Sequence, residues 1–171
     1  MPTAKTTSKS AAKATPSTTA KSAPPIPGQI WKEQKGVYIG IMRSADGKSA
    51  WHLILPTGAK YQINAAYGCY GKRIAGADCR FDGYANTVSM AAAGSESAKK
   101  ALDLDCHIMS RAEAALCYAV APNEFKTDDW YLTSTQSSED FAFGQRFGYG
   151  SQYDYGKSNE RRCRFVRRLI L

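Results

Sequence analysis

Two short apolar runs open the hydrophobic part of the chain and predict a β-hairpin. Residues 36–42 and 50–55 are rich in β-branched and aromatic side chains, which favour strands. The segment between them contains Asp46-Gly47, a dipeptide typical of hairpin turns. Residues 56–82 contain Pro56 and several glycines, so we expect an irregular region there with one short strand at residues 61–63.

The middle of the chain predicts two helices. Residues 83–102 are rich in alanine and carry lysines near their end, where cations favour the helix dipole, although Gly94 weakens the pattern. Ser110 and Glu113 have the spacing of a capping box at the start of the second helix. This helix carries apolar side chains at a helical period, and Pro122 lies just beyond its end. These side chains belong to Ala112, Ala115, Leu116 and Ala119.

Beyond residue 130 the pattern returns to strands. Candidate strands cover residues 130–135, 142–147, 151–155 and 162–170. The tripeptide Gly148-Tyr149-Gly150 suits the turn of a hairpin. Strands, then helices, then strands again predict an α+β fold rather than a parallel α/β sheet. We expect the first and last strands to pair and to bring the two ends of the domain together.

Residues 130–171 have the composition of a binding surface. They are rich in Tyr, Phe, Ser, Gly, Gln and Asp, and they end in an arginine-rich apolar segment. Tyr supplies amphipathic contact area at low entropic cost, and Ser and Gly adapt to a partner. An active site instead concentrates acids, bases and nucleophiles in a pocket. We therefore expect this stretch to carry recognition and the rest of the chain to hold it in place.

The charge is unevenly spread. The net charge is +8, and half of it lies in residues 1–30, which contain four lysines and no acid. This segment is mainly Ala, Lys, Thr, Ser and Pro, so it cannot bury enough apolar surface to fold. We predict a flexible arm at residues 1–30 and one domain at residues 31–171. Because the lysines are sparse and the domain is only mildly basic, an attachment arm or a spacer is favoured over nucleic-acid binding.

Cysteines and histidines do not suggest a metal site or a cofactor. The cysteine number, five, is odd, there is no CxxC pair, and only His52 and His107 could join a zinc site. Buried free thiols in a reducing cytoplasm are the favoured interpretation. The chain has no secretory signal and no apolar run of about 20 residues. We expect synthesis in the cytoplasm, no membrane insertion, and release by another route such as lysis.

Catalytic constellations are weak. Asp128-Asp129 and Glu139-Asp140 are paired acids that suit acid–base chemistry or calcium, but loop solvation and strand-end capping are favoured because no third ligand accompanies them. There is no Gly-x-Ser-x-Gly nucleophile motif, and neither histidine has a motif that would support a cysteine nucleophile. The prediction is therefore that the chain is not an enzyme.

Five segments carry a resemblance to a known family. They are the hairpin at residues 36–55, the helix start at 81–87, the capping-box helix at 110–118, YLTSTQ at 131–136, and the closing strands with RFVRR at 164–168. In this order they resemble the C-type-lectin-fold domains of phage tail and virion proteins and of diversity-generating-retroelement variable proteins. The resemblance covers residues 36–171, about four-fifths of the chain.

The chain departs from the family pattern at two places. Leu132 stands where the family has Trp, which we expect to change packing only, and Ile108-Met109 replaces the Leu-Pro before the capping box. The Glu-Pro-Asn, Gln-Pro-Asp and Trp-Asn-Asp triplets of calcium-dependent sugar-binding lectins are absent. The resemblance therefore does not imply calcium-dependent sugar binding.

What the resemblance implies is a C-type lectin-like fold with two helices and small antiparallel sheets, whose closing strands and loops display variable residues to a ligand. Tyr153 and Tyr155 would share one strand face as anchors, and Arg162 and Arg164 another. The arginines that follow would be structural. By position, the ligand-binding residues would be Asp140, Phe141, Gly144, Arg146, Tyr149, Ser151, Tyr153, Asp154, Tyr155, Arg162 and Arg164.

The implied function is non-enzymatic recognition by a phage virion or tail-associated receptor-binding protein, or by a retroelement-diversified variable protein. The implied partners are a host-surface protein or glycan, other virion or tail subunits bound through the N-terminal arm, and a second copy of the chain. One alternative is a capsid or tail decoration protein whose aromatic surface is a subunit interface. A less favoured alternative is a relative of formylglycine-generating oxidases, which depend on reactive cysteines and metal ligands.

Overall fold

The last strand of the chain, β9, lies at the centre of a nine-stranded sheet in the computed structural model, which describes residues 23–171. Most of the predicted arm, residues 1–22, lies outside the described residues. The strands are β1 (Ile30–Trp31), β2 (Gly36–Arg43), β3 (Ala50–Pro56), β4 (Gln62–Ala65), β5 (His107–Ile108), β6 (Trp130–Gln136), β7 (Phe141–Arg146), β8 (Gln152–Gly156) and β9 (Arg161–Ile170). The helices are α1 (Gly83–Ala92), α2 (Glu96–Asp103) and α3 (Arg111–Val120).

The sheet confirms the predicted α+β class and its mainly antiparallel pairing. The strand order is β1-β2-β3-β9-β6-β7-β8, and β4 and β5 also pair with β9. All pairings are antiparallel except β6 with β9, which meet in parallel at Tyr131 and Arg162. The end of the chain pairs with the second strand of the opening hairpin, β3, where Trp51 lies opposite Ile170, and not with the first strand as predicted.

The central strands β6 and β9 are buried on both faces. Successive residues of a strand point to opposite faces. Phe165 of β9 packs in a core with α1 and α2, whereas Val166 packs in a second core beneath α3. Leu132 and Tyr131 of β6 divide between the same two cores. The C-terminal stretch is thus the central part of the fold as well as the predicted binding surface.

The single helix predicted over residues 83–102 is wrong in one respect. Helix α1 ends at Ala92 and α2 begins at Glu96, because Gly94 adopts a left-handed conformation with φ of +106°. The Ser95 hydroxyl then donates to the Tyr67 carbonyl at 2.6 Å, which ties the break to the preceding loop. The described chain therefore has three helices rather than two.

The capping box predicted at Ser110 is confirmed and also links three elements. The Ser110 hydroxyl accepts from the Glu113 N–H at 3.2 Å, and Glu113 Oε2 accepts from the Ser110 N–H at 2.8 Å. Glu113 Oε1 also accepts from Trp51 Nε1 at 3.3 Å and contacts His107 Nε2 at 3.0 Å. This fully buried carboxylate therefore joins α3 to β3 and β5.

Helix α3 buries a different face from the one its alanine pattern indicates. The side chains that it buries are Glu113, Ala114 and Cys117. The predicted apolar stripe is half-buried or exposed, and with Ile41 and Phe81 it borders an open groove of about 670 Å³. Ala and Leu at helical spacing predict the helix itself, but not how far each side of it is covered.

The ordered domain begins earlier than residue 31. The Gly28 N–H donates to the Tyr38 carbonyl at 2.7 Å, and the Tyr38 N–H donates to the Gln29 carbonyl at 2.8 Å. Nearby, His52 is buried in β3 and its Nδ1 lies 3.0 Å from the Tyr38 hydroxyl, so it has a structural position in this strand.

All five cysteines are free thiols. Burial is complete or nearly so for Cys106, Cys117 and Cys163, as predicted, whereas Cys69 and Cys79 are only half-buried, so the prediction of buried thiols is wrong for these two. Between residues 23 and 171 no helix is both long and apolar enough to cross a membrane.

Candidate functional site

The predicted site lies on the hairpin of β7 and β8 and on the start of β9. The hairpin register places Phe141 opposite Gly156 and Gly144 opposite Tyr153. Its turn requires Gly150, which has φ of +70° and lies against the Tyr118 ring, where a Cβ would come within 2.5 Å. The hairpin is therefore seated on the end of α3.

The structure divides the eleven predicted residues by exposure. Three aromatic rings face solvent: Tyr149 is 77% exposed, Tyr153 70% and Phe141 45%. The Arg146 guanidinium lies 5.2 Å from the Tyr149 ring centre, and Ser137 donates to Asp154 Oδ2 at 3.2 Å. The exposed members are Phe141, Tyr149, Ser151 and Tyr153; the half-buried ones are Asp140, Arg146, Asp154, Tyr155 and Arg162; the buried ones are Gly144 and Arg164.

Tyr155 is not the exposed anchor that strand alternation predicts. Its ring packs towards the core that contains α1 and α2 and lies over Gly144, where a Cβ would come within 2.5 Å of Tyr155 Cε1. Burial raises the pKa of the Tyr155 phenol well above its usual value. The absence of a side chain at Gly144 thus makes room for this ring, and Gly144 is not a residue displayed to a ligand. Both residues support the surface from below.

Arg164 is also not available to a ligand. It is only 6% exposed, and its guanidinium donates to the carbonyls of Pro56 at 2.5 Å and Tyr61 at 3.3 Å. Burial lowers its pKa, but these carbonyl acceptors satisfy the charged fork. Arg164 holds the segment after β3 against β9, so the structure gives it a supporting position rather than an exposed one.

Three other arginines of β9 have predicted roles, Arg162 in the site and Arg167 and Arg168 in the fold. Arg162 forms an ion pair with Asp129, and this hydrogen bond holds the pKa of the Asp129 carboxyl below its usual value. Arg167 donates to the Gln34 carbonyl, and the Arg168 guanidinium lies 3.8 Å from the Tyr84 ring centre. The structural role predicted for the last two arginines is confirmed.

Two adjoining clefts lie at the start of β9. The first, which we call the polar cleft, has a volume of about 310 Å³ and is lined by Asn64, Asp129, Trp130, Glu160, Arg161 and Arg162. The second, the aromatic slot, has a volume of about 160 Å³ and is lined by Trp130, Tyr153, Asp154, Tyr155 and Arg161. Trp130 and Arg161 line both, so the two clefts are adjacent and share a wall.

Sheet pairing brings together residues that are distant in the sequence. In the β4–β9 register, Asn64 lies opposite Arg162, and in the β6–β9 register Tyr131 does. Trp130 and Asp129 directly precede Tyr131, so they reach the same place from the other side. The sequence prediction missed Asn64, Asp129, Trp130, Glu160 and Arg161 as site residues, because no local pattern reports the pairing of β4 and β6 with β9.

A buried lysine fixes the connection that carries Glu160 and Arg161. Lys157 is fully buried, and its Nζ donates to the Lys72 carbonyl at 2.8 Å and to Gln136 Oε1 at 2.9 Å. Its backbone N–H donates to the Asp140 carbonyl at 2.8 Å. Burial lowers the pKa of this ammonium, and the two oxygen acceptors supply the hydrogen bonds that a buried ammonium requires. The β8–β9 turn is thereby held to the loop before α1.

Comparison with known proteins adds no relative. No family model matches the chain, and no curated protein matches it. In the described part of the chain, no group of three or more His, Cys, Asp or Glu side chains could hold a metal ion.

Proposed function

We propose that this chain is a non-enzymatic recognition domain with a C-type lectin-like fold, carried as a receptor-binding protein on a phage virion or tail, or used as a retroelement-diversified variable protein. The observation that carries the proposal is the site at the start of β9, where two clefts share Trp130 and Arg161 beneath the exposed ring of Tyr153. Exposed aromatic rings beside arginines are typical of binding hot spots.

The way in which the site is supported favours recognition. Gly144 and Tyr155 form a rigid floor, and Lys157 and Arg164 hold the turns around it through backbone carbonyls. A surface that is ordered before binding loses little conformational entropy when a ligand arrives. The phage context, the C-type lectin-like fold and attachment through the N-terminal arm rest on the family resemblance.

The chemistry of the cysteines favours binding over catalysis. Burial raises the pKa of both Cys117 and Cys163, which keeps these thiols protonated and unreactive. In the described part of the chain neither thiol is hydrogen-bonded to a histidine, since His107 contacts Glu113 and His52 contacts Tyr38.

The test is binding of the labelled full chain to a panel of fixed bacterial cells. Wild type should bind at least one strain of the panel, and changing both Tyr149 and Tyr153 to Ala should abolish that binding. Tyr70→Ala is the matched control, because Tyr70 is 60% exposed and lines neither cleft. Equal binding by the double variant refutes the site, and absence of binding across the panel refutes the receptor-binding function.

A decoration protein is the second candidate function, favoured by the open groove beside α3. This groove is mainly apolar and includes the exposed side chains of Ile41 and Phe81, which suit a subunit contact. If the chain is a decoration protein, Phe81→Glu should abolish assembly onto the particle while leaving cell binding by the free chain unchanged.

A further inference from the structure

The polar cleft is lined by hydrogen-bond donors and acceptors, and its acidic and basic side chains are equal in number. Asp129 and Glu160 contribute carboxylates, Arg161 and Arg162 contribute guanidinium groups, and Asn64 contributes an exposed amide. Carboxylates only accept hydrogen bonds, guanidinium groups only donate them, and an amide does both. A ligand that fills this cleft must therefore offer donors and acceptors side by side without a large charge of its own.

The desolvation of these charges discriminates between ligand classes. Asp129 and Arg162 pair with each other, but a flat protein surface that covered the polar cleft would also remove Glu160 and Arg161 from water, which is strongly unfavourable unless each finds a partner. A hydroxyl group has one donor hydrogen and two acceptor lone pairs, so it can satisfy a carboxylate and a guanidinium at once. Neighbouring hydroxyls on a ring offer this combination in a fixed geometry.

The aromatic slot supplies a complementary apolar surface. Trp130, Tyr153 and Tyr155 line it, and its volume of about 160 Å³ suits a single ring rather than an extended apolar chain. The face of an aromatic ring carries partial negative charge, so it packs well on the apolar C–H face of a sugar ring, whose hydroxyls lie around the rim. Asp154 and Arg161 also border the slot.

The wall between the two clefts has unused hydrogen-bonding capacity. The Arg161 guanidinium lies 5.0 Å from the Tyr155 ring centre, and its Nη1 donates to the Glu160 carbonyl at 2.8 Å. Its Nε is enclosed and has no hydrogen-bond partner in the described chain. Buried polar atoms are normally paired, so a small adjustment that brings this N–H to a ligand oxygen would be favourable.

We propose that the ligand of this site is a neutral oligosaccharide, with one sugar ring in the aromatic slot against Trp130 and Tyr153 and the hydroxyls of the next sugar in the polar cleft. This inference rests on the recognition function proposed above and names its ligand. The balance of two acidic and two basic side chains favours a neutral sugar over a uronic or sialic acid. Recognition uses side chains alone, so it is independent of calcium.

The experiment is a glycan array that carries neutral and acidic bacterial and host oligosaccharides, probed with the full chain and followed by calorimetry with the strongest neutral binder. Tyr153→Ala should weaken binding about tenfold, the loss expected for one aromatic contact. Glu160→Gln should weaken it by a similar factor through lost charge-assisted hydrogen bonds. Tyr70→Ala and an excess of EDTA should leave the affinity unchanged. The exposed positions Tyr153 and Glu160 keep the test clear of misfolding.

The outcomes separate this inference from the function beneath it. An array on which no neutral glycan binds, or on which only acidic glycans bind, overturns the neutral-sugar inference. If the array is negative while cell binding depends on Tyr153 and is abolished by protease treatment of the cells, the ligand is a protein and the recognition function stands. If cell binding does not depend on the tyrosines, the proposed site itself fails.

Discussion

Glu113 is the residue whose replacement tests the packing of the domain most directly. Its carboxylate is fully buried and accepts from the Ser110 N–H at 2.8 Å and from Trp51 Nε1 at 3.3 Å, and it contacts His107 Nε2 at 3.0 Å. Gly83 packs closely against this carboxylate, since a Cβ there would lie 2.2 Å from Glu113 Oε2. Glu113→Ala therefore removes the common acceptor of three buried donors and leaves a void.

The expected loss is large relative to the stability of a domain of this size. Each buried donor left without a partner costs about 1–3 kcal/mol, and removing one member of a buried charged cluster typically costs about 3–5 kcal/mol in total. We expect Glu113→Ala to lower the free energy of unfolding by about 3–5 kcal/mol, against a typical total of about 5–15 kcal/mol. Glu113→Gln keeps the volume but turns one acceptor into a donor, so we expect about 1–3 kcal/mol.

The measurement is urea unfolding followed by circular dichroism, with the slope of the transition compared between variants to confirm a common denatured state. Glu124→Gln is the matched control, because Glu124 is exposed just after α3, and it should change stability by less than about 0.5 kcal/mol. If Glu113→Gln behaves like this control, the carboxylate is not the shared acceptor of the three donors. The reasoning about how α3 is joined to β3 and β5 would then be refuted.

Three further outcomes follow from the site and its support. Gly144→Ala should lower the free energy of unfolding by about 1–3 kcal/mol through overpacking and also weaken ligand binding, whereas Gly156→Ala, with no atom closer than 3.5 Å to its Cβ, should do neither. The pKa of Asp129 is lowered by its hydrogen bond from Arg162, so Asp129→Asn should destabilise the domain above pH about 4, and this difference should vanish as pH falls through the lowered pKa, as measured by unfolding from pH 6 down to pH 2. A thiol reagent should label only Cys69 and Cys79 in the native protein and all five cysteines after unfolding. Labelling of any buried thiol before unfolding would contradict the packing described.

Local sequence patterns predict most helices and strands of this fold, but they do not predict which of these elements pair or pack with one another. The Asp46-Gly47 turn, the capping box at Ser110 and the hairpin turn around Gly150 are readable because each requires particular residue types at fixed spacing. The sequence underestimates the break between α1 and α2, because one glycine inside a helix costs only about 1 kcal/mol. In the structure the Gly94 N–H donates to the Ala91 carbonyl and the Ser95 N–H to the Met90 carbonyl, both at 3.0 Å, which ends α1.

The candidate site shows where local reasoning ends. Alternation correctly places Tyr153 and Tyr155 on one strand face, and it does the same for Arg162 and Arg164. It does not report that the first ring of one pair is exposed while the second covers Gly144. How far a side chain is buried depends on which elements pack over its side of the sheet, and this is set by the long-range pairing of β4 and β6 with β9.

The same distinction determines which positions of the surface can change without loss of the fold. Asn64, Tyr153 and Glu160 are exposed, and their side chains end in the clefts, so substitution there changes what is bound and little else. Gly144 lies opposite Tyr153 on the paired strand, and the Tyr155 ring packs against it so closely that a side chain has no room. Arg164 lies two residues after Arg162 and is fixed by the carbonyls of Pro56 and Tyr61. A chain that changed its ligand specificity by diversification would therefore vary Asn64, Tyr153 and Glu160 and keep Gly144 and Arg164. β9 permits both because it presents Arg161 and Arg162 to the clefts at its start and buries Cys163 to Val166 immediately afterwards.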